Sequence, residues 1–113
     1  MHEMALAEGV LQLIEDAANR EGFTRVRTIW VEIGRLSGVE PEALAFCFDA
    51  VTRGSIAAGA QFEIVHVPGS GHCLECGRDT ELQAVYDACS HCGAVPVQVT
   101  GGTEMRVKEL EVD

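Results

Sequence analysis

No apolar run in this sequence approaches the roughly 18 residues that a membrane-spanning helix needs. The N-terminal segment carries Glu3, Glu8, Glu15 and Asp16 and no positively charged stretch. Neither a membrane span nor a secretory leader is therefore expected. Basic residues are scarce as well: eight Lys and Arg stand against eighteen Asp and Glu, for a net charge of −10. Such a field repels phosphate backbones and anionic headgroups, which sets aside nucleic acid and membrane surfaces as partners and favours cations and basic protein surfaces. The signatures of catalysis are missing too. There is no nucleophile motif, no H-E-x-x-H and no phosphate loop, so no catalytic residues are assigned and the chain is not expected to be an enzyme.

What remains is 113 residues with 47% hydrophobic content, enough for one real core and not for two large ones. From Met4 to Arg20 the apolar residues Leu6, Val10, Leu13, Ile14, Ala17 and Ala18 fall on one face of an amphipathic helix, and Gly22 supplies its stop. Between Phe23 and Gly34 the period becomes two, with Ile29, Val31 and Ile33 on one side and Thr28, Trp30 and Glu32 on the other, a strand with one buried face. Pro41 and the acids Glu40 and Glu42 open a second helix whose inner stripe is Leu44, Cys47, Phe48 and Val51. Gln61 to Val67 alternates as a second strand. His66 is read there as a partly buried sheet-end residue, in phase with Phe62 and Ile64. Thr103 to Val112 makes a third strand, with a change of phase that suggests a bulge near Lys108 or Glu109.

Gly69 to Gly102 is different: turn-rich, holding four of the five cysteines, with its large aliphatic side chains scattered apart from the short alternation Val95, Val97, Val99. Cys73-Leu74-Glu75-Cys76-Gly77 and Cys89-Ser90-His91-Cys92-Gly93 are near copies separated by twelve residues, each like the knuckle of a zinc ribbon. One tight turn aims two thiolates at a common point, and two such turns complete a tetrahedron. Four thiolates leave no open coordination position, so Zn(II) at Cys73, Cys76, Cys89 and Cys92 is expected to be structural. Two C-x-x-C pairs in a chain for which no secretory leader is expected point to metal before disulfides, and to the cytoplasm. His72 and His91 beside these ligands read as exposed neighbours, and Cys47 as a buried, inert thiol. Around the knuckles a single basic residue, Arg78, faces Glu75, Asp79, Glu81 and Asp87, the opposite of a phosphate-binding balance. The expected fold class is α+β, two helices on a three-stranded sheet with an inserted zinc-ribbon-like four-cysteine module. The domains are residues 1–68 plus 103–113, and 69–102.

His2 has two readings. It is an exposed residue at a fraying end, or it joins the Met1 amine and its own deprotonated amide nitrogen in two fused chelate rings around a Ni(II) or Cu(II) ion, which prefer such flat nitrogen sets. Met1 is expected to remain, because His is too bulky at position two for ordinary methionine removal.

MHEMALAEGV at the start, VEIGRLSGVEPEALAFCFDAVTRGSIAAGA in the middle, the two C-x-x-C-G knuckles and the closing G-x-E before Lys-Glu-Leu-Glu-Val resemble, in order and along essentially the whole chain, the HypA/HybF family of hydrogenase maturation factors. The resemblance implies a nickel metallochaperone that binds Ni(II) at its N-terminus and delivers it for maturation of [NiFe] hydrogenase. It implies as partners a GTPase of the same pathway and the hydrogenase large subunit. It also implies that residues 1–68 plus 103–113 bind nickel, with His2 as ligand and Met1 and Glu3 as its neighbours in the motif, and that Cys73, Cys76, Cys89 and Cys92 hold zinc. Ser90 departs from the pattern, since many relatives carry Pro there; the departure touches the stiffness of the turn and not the ligand set. The competing class is a zinc-ribbon adaptor that binds protein partners and carries no second metal.

Overall fold

The computed structural model of the chain describes residues 2–113. The elements run α1 (Glu3–Glu21), β1 (Val26–Gly34), α2 (Pro41–Val51), β2 (Gln61–Val67), β3 (Gly69–His72), β4 (Asp79–Leu82), β5 (Gln98–Gly101) and β6 (Met105–Val112). No helix is long and apolar enough to cross a membrane. Two three-stranded sheets form, ordered β2-β1-β6 and β4-β3-β5. The first contains the three strands expected from the sequence. The second lies wholly within the cysteine-bearing insert, which the sequence marks as turn-rich with one short alternation at Val95, Val97 and Val99.

Two compact units divide the chain, one of residues 1–31, 39–65 and 106–113, the other of 32–38 and 66–105. In the first, α1 ends where Gly22 turns left-handed (φ 81°) and returns its N–H to Ala18 C=O at 2.8 Å. Its buried residues are Glu3, Ala7, Val10, Ile14 and Ala17, a narrower stripe than the apolar positions suggest, and Leu13 is half exposed at 50%. Pro41 opens α2, whose buried residues are Leu44 and Phe48; Cys47 is only half-buried. The Phe48 ring meets Phe62 of β2 at a centroid distance of 4.9 Å. In β1, Ile29 and Val31 are fully buried as expected, yet Thr28 on the opposite phase is buried too, at 4% exposed. That face is closed locally because the Thr28 hydroxyl donates to Glu111 of β6 at 2.7 Å. His66 is exposed rather than partly buried, since the inward phase of β2 passes from Ile64 to Val65 and Val67. In β6 the half-buried positions shift from Met105 and Val107 to Leu110 within one unbroken strand.

Phe48 is 2% exposed at the centre of this first core. Phe48→Ala removes a whole ring from a site that cannot fully collapse, and is expected to lower stability by about 3–5 kcal/mol. Urea unfolding followed through Trp30 measures it as a shift in midpoint.

Candidate metal centre

The second unit has a very small core. Its fully buried cluster is Cys73, Leu82, Cys89 and Val97, with Leu36, Ala94 and Val99 packed against it. Half of that cluster is cysteine. The close approach around it depends on Gly71 in β3, where a Cβ would lie 2.6 Å from Val97 Cγ1 and 2.8 Å from Leu82 Cδ1. The module therefore has little apolar area to hold it, and needs another source of cohesion.

The cysteines supply the place for it. β3 runs into the first knuckle and β4 leads out, with His72 paired to Asp79 at the mouth of the hairpin. Cys73 N–H donates to Arg78 C=O at 2.9 Å and Gly77 N–H to Cys73 C=O at 2.8 Å. The second knuckle repeats both bonds: Cys89 N–H to Ala94 C=O at 3.0 Å, and Gly93 N–H to Cys89 C=O at 2.8 Å. Each closing glycine has positive φ, 73° at Gly77 and 77° at Gly93, a conformation that costs other L-residues about 1–2 kcal/mol. The repeated sequence thus folds as a repeated turn.

All four Sγ atoms lie within 4.8 Å of one another. Across the knuckles, Cys73 Sγ and Cys92 Sγ are 3.5 Å apart, and Cys76 Sγ and Cys89 Sγ 3.8 Å. A regular tetrahedron with Zn–S bonds of about 2.3 Å has S···S edges of about 3.8 Å, so the donor set fits zinc in number, type and spacing. Cys73 and Cys89, the first cysteine of each knuckle, are buried, whereas Cys76 and Cys92 are exposed.

Ionisation is shared unequally. The backbone N–H groups of Cys92 and His91 donate toward Cys89 Sγ and lower that thiol to about 6. At Cys92 the Ala94 N–H works in the same direction, but the crowding sulfurs of Cys73, Cys76 and Cys89, together with burial, raise the thiol to about 12. Four thiolates so close repel one another, and a divalent cation among them relieves that repulsion. His72 Nδ1 lies 2.9 Å from an Asp79 carboxylate oxygen and His91 Nε2 lies 3.1 Å from Asp79 C=O. Both rings are thus engaged outside the sulfur cluster.

In the first unit His2 is exposed and stands as the N-cap of α1, without a side-chain capping bond. Its carbonyl accepts from Leu6 N–H at 3.2 Å. Glu3 is the first helical residue, and its amide is one of the N–H groups that a helix start leaves without an intrahelical partner. Its side chain is 7% exposed, and its carboxylate accepts from Glu40 N–H, at the cap of α2, at 3.1 Å. Met1 lies outside the described residues.

The sequence reading missed this side-chain role of Glu3 and the part played by Glu40. The signal was present: Glu3 is four residues before Ala7 and seven before Val10, on the buried row. The Glu40 N–H holds the Glu3 carboxyl below its ordinary value of 4.5, against the opposing effect of burial. A carboxylate with a depressed folded-state value stabilises the fold above its unfolded value, and that contribution is lost as pH falls through the folded value. Thermal unfolding from about pH 7 to about pH 3 is therefore expected to show a decline below about 4.5 that is shallower in Glu3→Gln.

Residues 1–112 match the protein family described as hydrogenase/urease nickel incorporation, metallochaperone, HypA. The chain is 61% identical over 113 residues to the hydrogenase maturation factor HypA of Albidiferax ferrireducens, and 60% identical to that of Dechloromonas aromatica, with both chains covered in full in each comparison. The fold is similar to the solution structure of the Ni metallochaperone HypA from Helicobacter pylori, with a TM-score of 0.69 and 25% identity, covering 99% of this chain and 97% of that one. A family match that takes in His2 and all four clustered cysteines, and relatives aligned from end to end, place this chain in the HypA family of nickel metallochaperones for hydrogenase maturation.

Proposed function

We propose that this chain binds Ni(II) at its N-terminus and delivers it for maturation of [NiFe] hydrogenase, while Cys73, Cys76, Cys89 and Cys92 hold a structural Zn(II). Nickel belongs to residues 1–68 plus 103–113, and zinc to 69–102. The observation that carries the reading is the family match over residues 1–112, which begins at the proposed nickel site. The donors are the His2 imidazole, the Met1 amine and the backbone nitrogens of His2 and Glu3.

Placement at a helix start has a cost and a benefit. The macrodipole leaves partial positive charge there, which disfavours a cation. An amide that gives up its proton to bind nickel cancels that charge locally, and the Glu3 amide gives up no bond to a helix carbonyl in doing so, only its contact with the residue's own carboxylate. Two amidate nitrogens neutralise one Ni(II) ion, and an amine that is protonated before binding gives up its proton as well, so loading adds no positive charge to the helix end.

His2 is exposed, which suits cargo. A delivery site must release, and incomplete protein ligation lets an acceptor's ligand enter before the donor's leave. The partners are the GTPase of the maturation pathway and the hydrogenase large subunit, in the cytoplasm. The chain acts by ligand exchange and not as an enzyme. Metal analysis and nickel titration of untagged protein test the proposal. One tightly held zinc and one exchangeable nickel per chain are expected; zinc alone, with no nickel uptake, would leave the adaptor reading in its place.

A further inference from the structure

The two knuckles are anchored unequally. The first is the loop of the β3–β4 hairpin and is pinned on both sides by the ladder from Gly69↔Leu82 to His72↔Asp79. The second, Cys89 to Gly93, lies outside any strand, between the end of β4 at Leu82 and the start of β5 at Gln98. Sequence before it is occupied by a local turn in which Asp87 accepts from the N–H groups of Gln83 and Ala84 at 2.8 and 3.0 Å. That turn fixes nothing about where the second pair of thiols sits relative to the first.

A pair of hydroxyls does. Thr80, in β4, is 5% exposed. Its Oγ1 lies 2.7 Å from Ser90 Oγ and accepts from Ser90 N–H at 3.3 Å. Ser90 directly follows Cys89, so holding its backbone and side chain together fixes the orientation of the peptide that carries the Cys89 thiol. The other polar tie between β4 and this knuckle runs from the exposed His91 ring to Asp79 C=O, where water competes for both groups. In the Thr80–Ser90 pair Ser90 is exposed and Thr80 buried, so water competes from one side only.

We propose that Thr80, acting through Ser90, is a positioning residue for the metal centre. It sets the second pair of thiolates at tetrahedral spacing from the first and slows their departure from a bound ion. The inference rests on the reading of the four cysteines as a zinc site. It assigns the stiffness of the second turn to a side-chain contact with a neighbouring strand, which makes the turn's rigidity depend on one hydroxyl thirteen residues from Gly93.

The test uses the full-length, zinc-loaded chain and measures zinc transfer to an excess of chromogenic chelator, alongside the ligand-field spectrum of the Co(II)-substituted protein. Thr80→Val keeps the volume and removes the hydroxyl. It is expected to release zinc about tenfold faster, the low end of the 10- to 100-fold change in affinity that follows loss of a group bonded to a ligand, because Thr80 reaches Cys89 only through Ser90, and to shift the Co(II) bands. Thr80→Ser keeps the hydroxyl and is expected to stay within about threefold of the unmodified chain with an unchanged spectrum. Ser90→Ala, which removes the shorter contact, falls between them.

A Thr80→Val rate equal to that of the unmodified chain overturns the inference, as does a Thr80→Ser rate as fast as Thr80→Val. If Thr80→Val takes up no zinc, Ser90→Ala decides, and unchanged release there overturns it. An unmodified chain that binds no zinc at all would instead overturn the zinc reading on which the inference stands.

Discussion

Cys89→Ser is expected to abolish stoichiometric zinc and to unfold the unit formed by residues 32–38 and 66–105. Structural zinc contributes roughly 10–16 kcal/mol of apparent folding free energy in small zinc modules near neutral pH. No other interaction in this unit approaches that size, because its buried cluster is two aliphatic side chains and two of the ligands themselves. Cys89 is also buried, and the N–H groups of Cys92 and His91 donate toward its sulfur. Serine removes the thiolate and leaves those donors without their sulfur acceptor. Metal analysis should fall from one zinc per chain to near zero, and amide exchange in β3, β4 and β5 should lose protection. Protection retained without zinc would show that the apolar cluster suffices without the ion, and retention of both would show that three thiolates hold it.

His2→Ala is expected to remove stoichiometric nickel binding and leave zinc content and unfolding unchanged. The His2 side chain makes no capping hydrogen bond, so its removal takes nothing from α1 that alanine does not keep. Loss of a direct ligand should exceed the roughly 10- to 100-fold in affinity that losing an outer-shell partner costs. Isothermal titration of untagged protein, with circular dichroism as the fold control, separates a lost site from a lost fold. An N-terminal extension, which turns the amine into an amide, should weaken nickel in the same direction while sparing zinc. Full nickel retention in His2→Ala would reject the N-terminal site.

Much of this architecture is legible in the sequence because its signals are periodic or local. The 3.6-residue pattern of α1 and α2, the alternation in β1 and the C-x-x-C-G repeats each encode geometry over a few residues. Leu13 shows the limit: it lies on the edge of the apolar arc, and whether an edge position is covered depends on what lies opposite it. Thr28 shows another limit, since a polar residue in a strand is buried when a cross-strand partner such as Glu111 satisfies it. The sheet β4-β3-β5 escaped notice because Gly69-Ser70-Gly71-His72 has no hydrophobic alternation; it pairs through backbone, and Gly71 contributes by leaving room. Thr80 gave no signal at all, because its partner is ten residues away and nothing in the intervening pattern announces a contact.

The burial of one cysteine in each knuckle and the exposure of the other give the centre an inside and an outside. A competing chelator, an electrophile or a partner's thiol arriving from water meets Cys76 and Cys92, while Cys73 and Cys89 stay shielded beside Leu82 and Val97. Attack on a bound ion would therefore begin at two sulfurs and not four, with the inner pair the last to be reached.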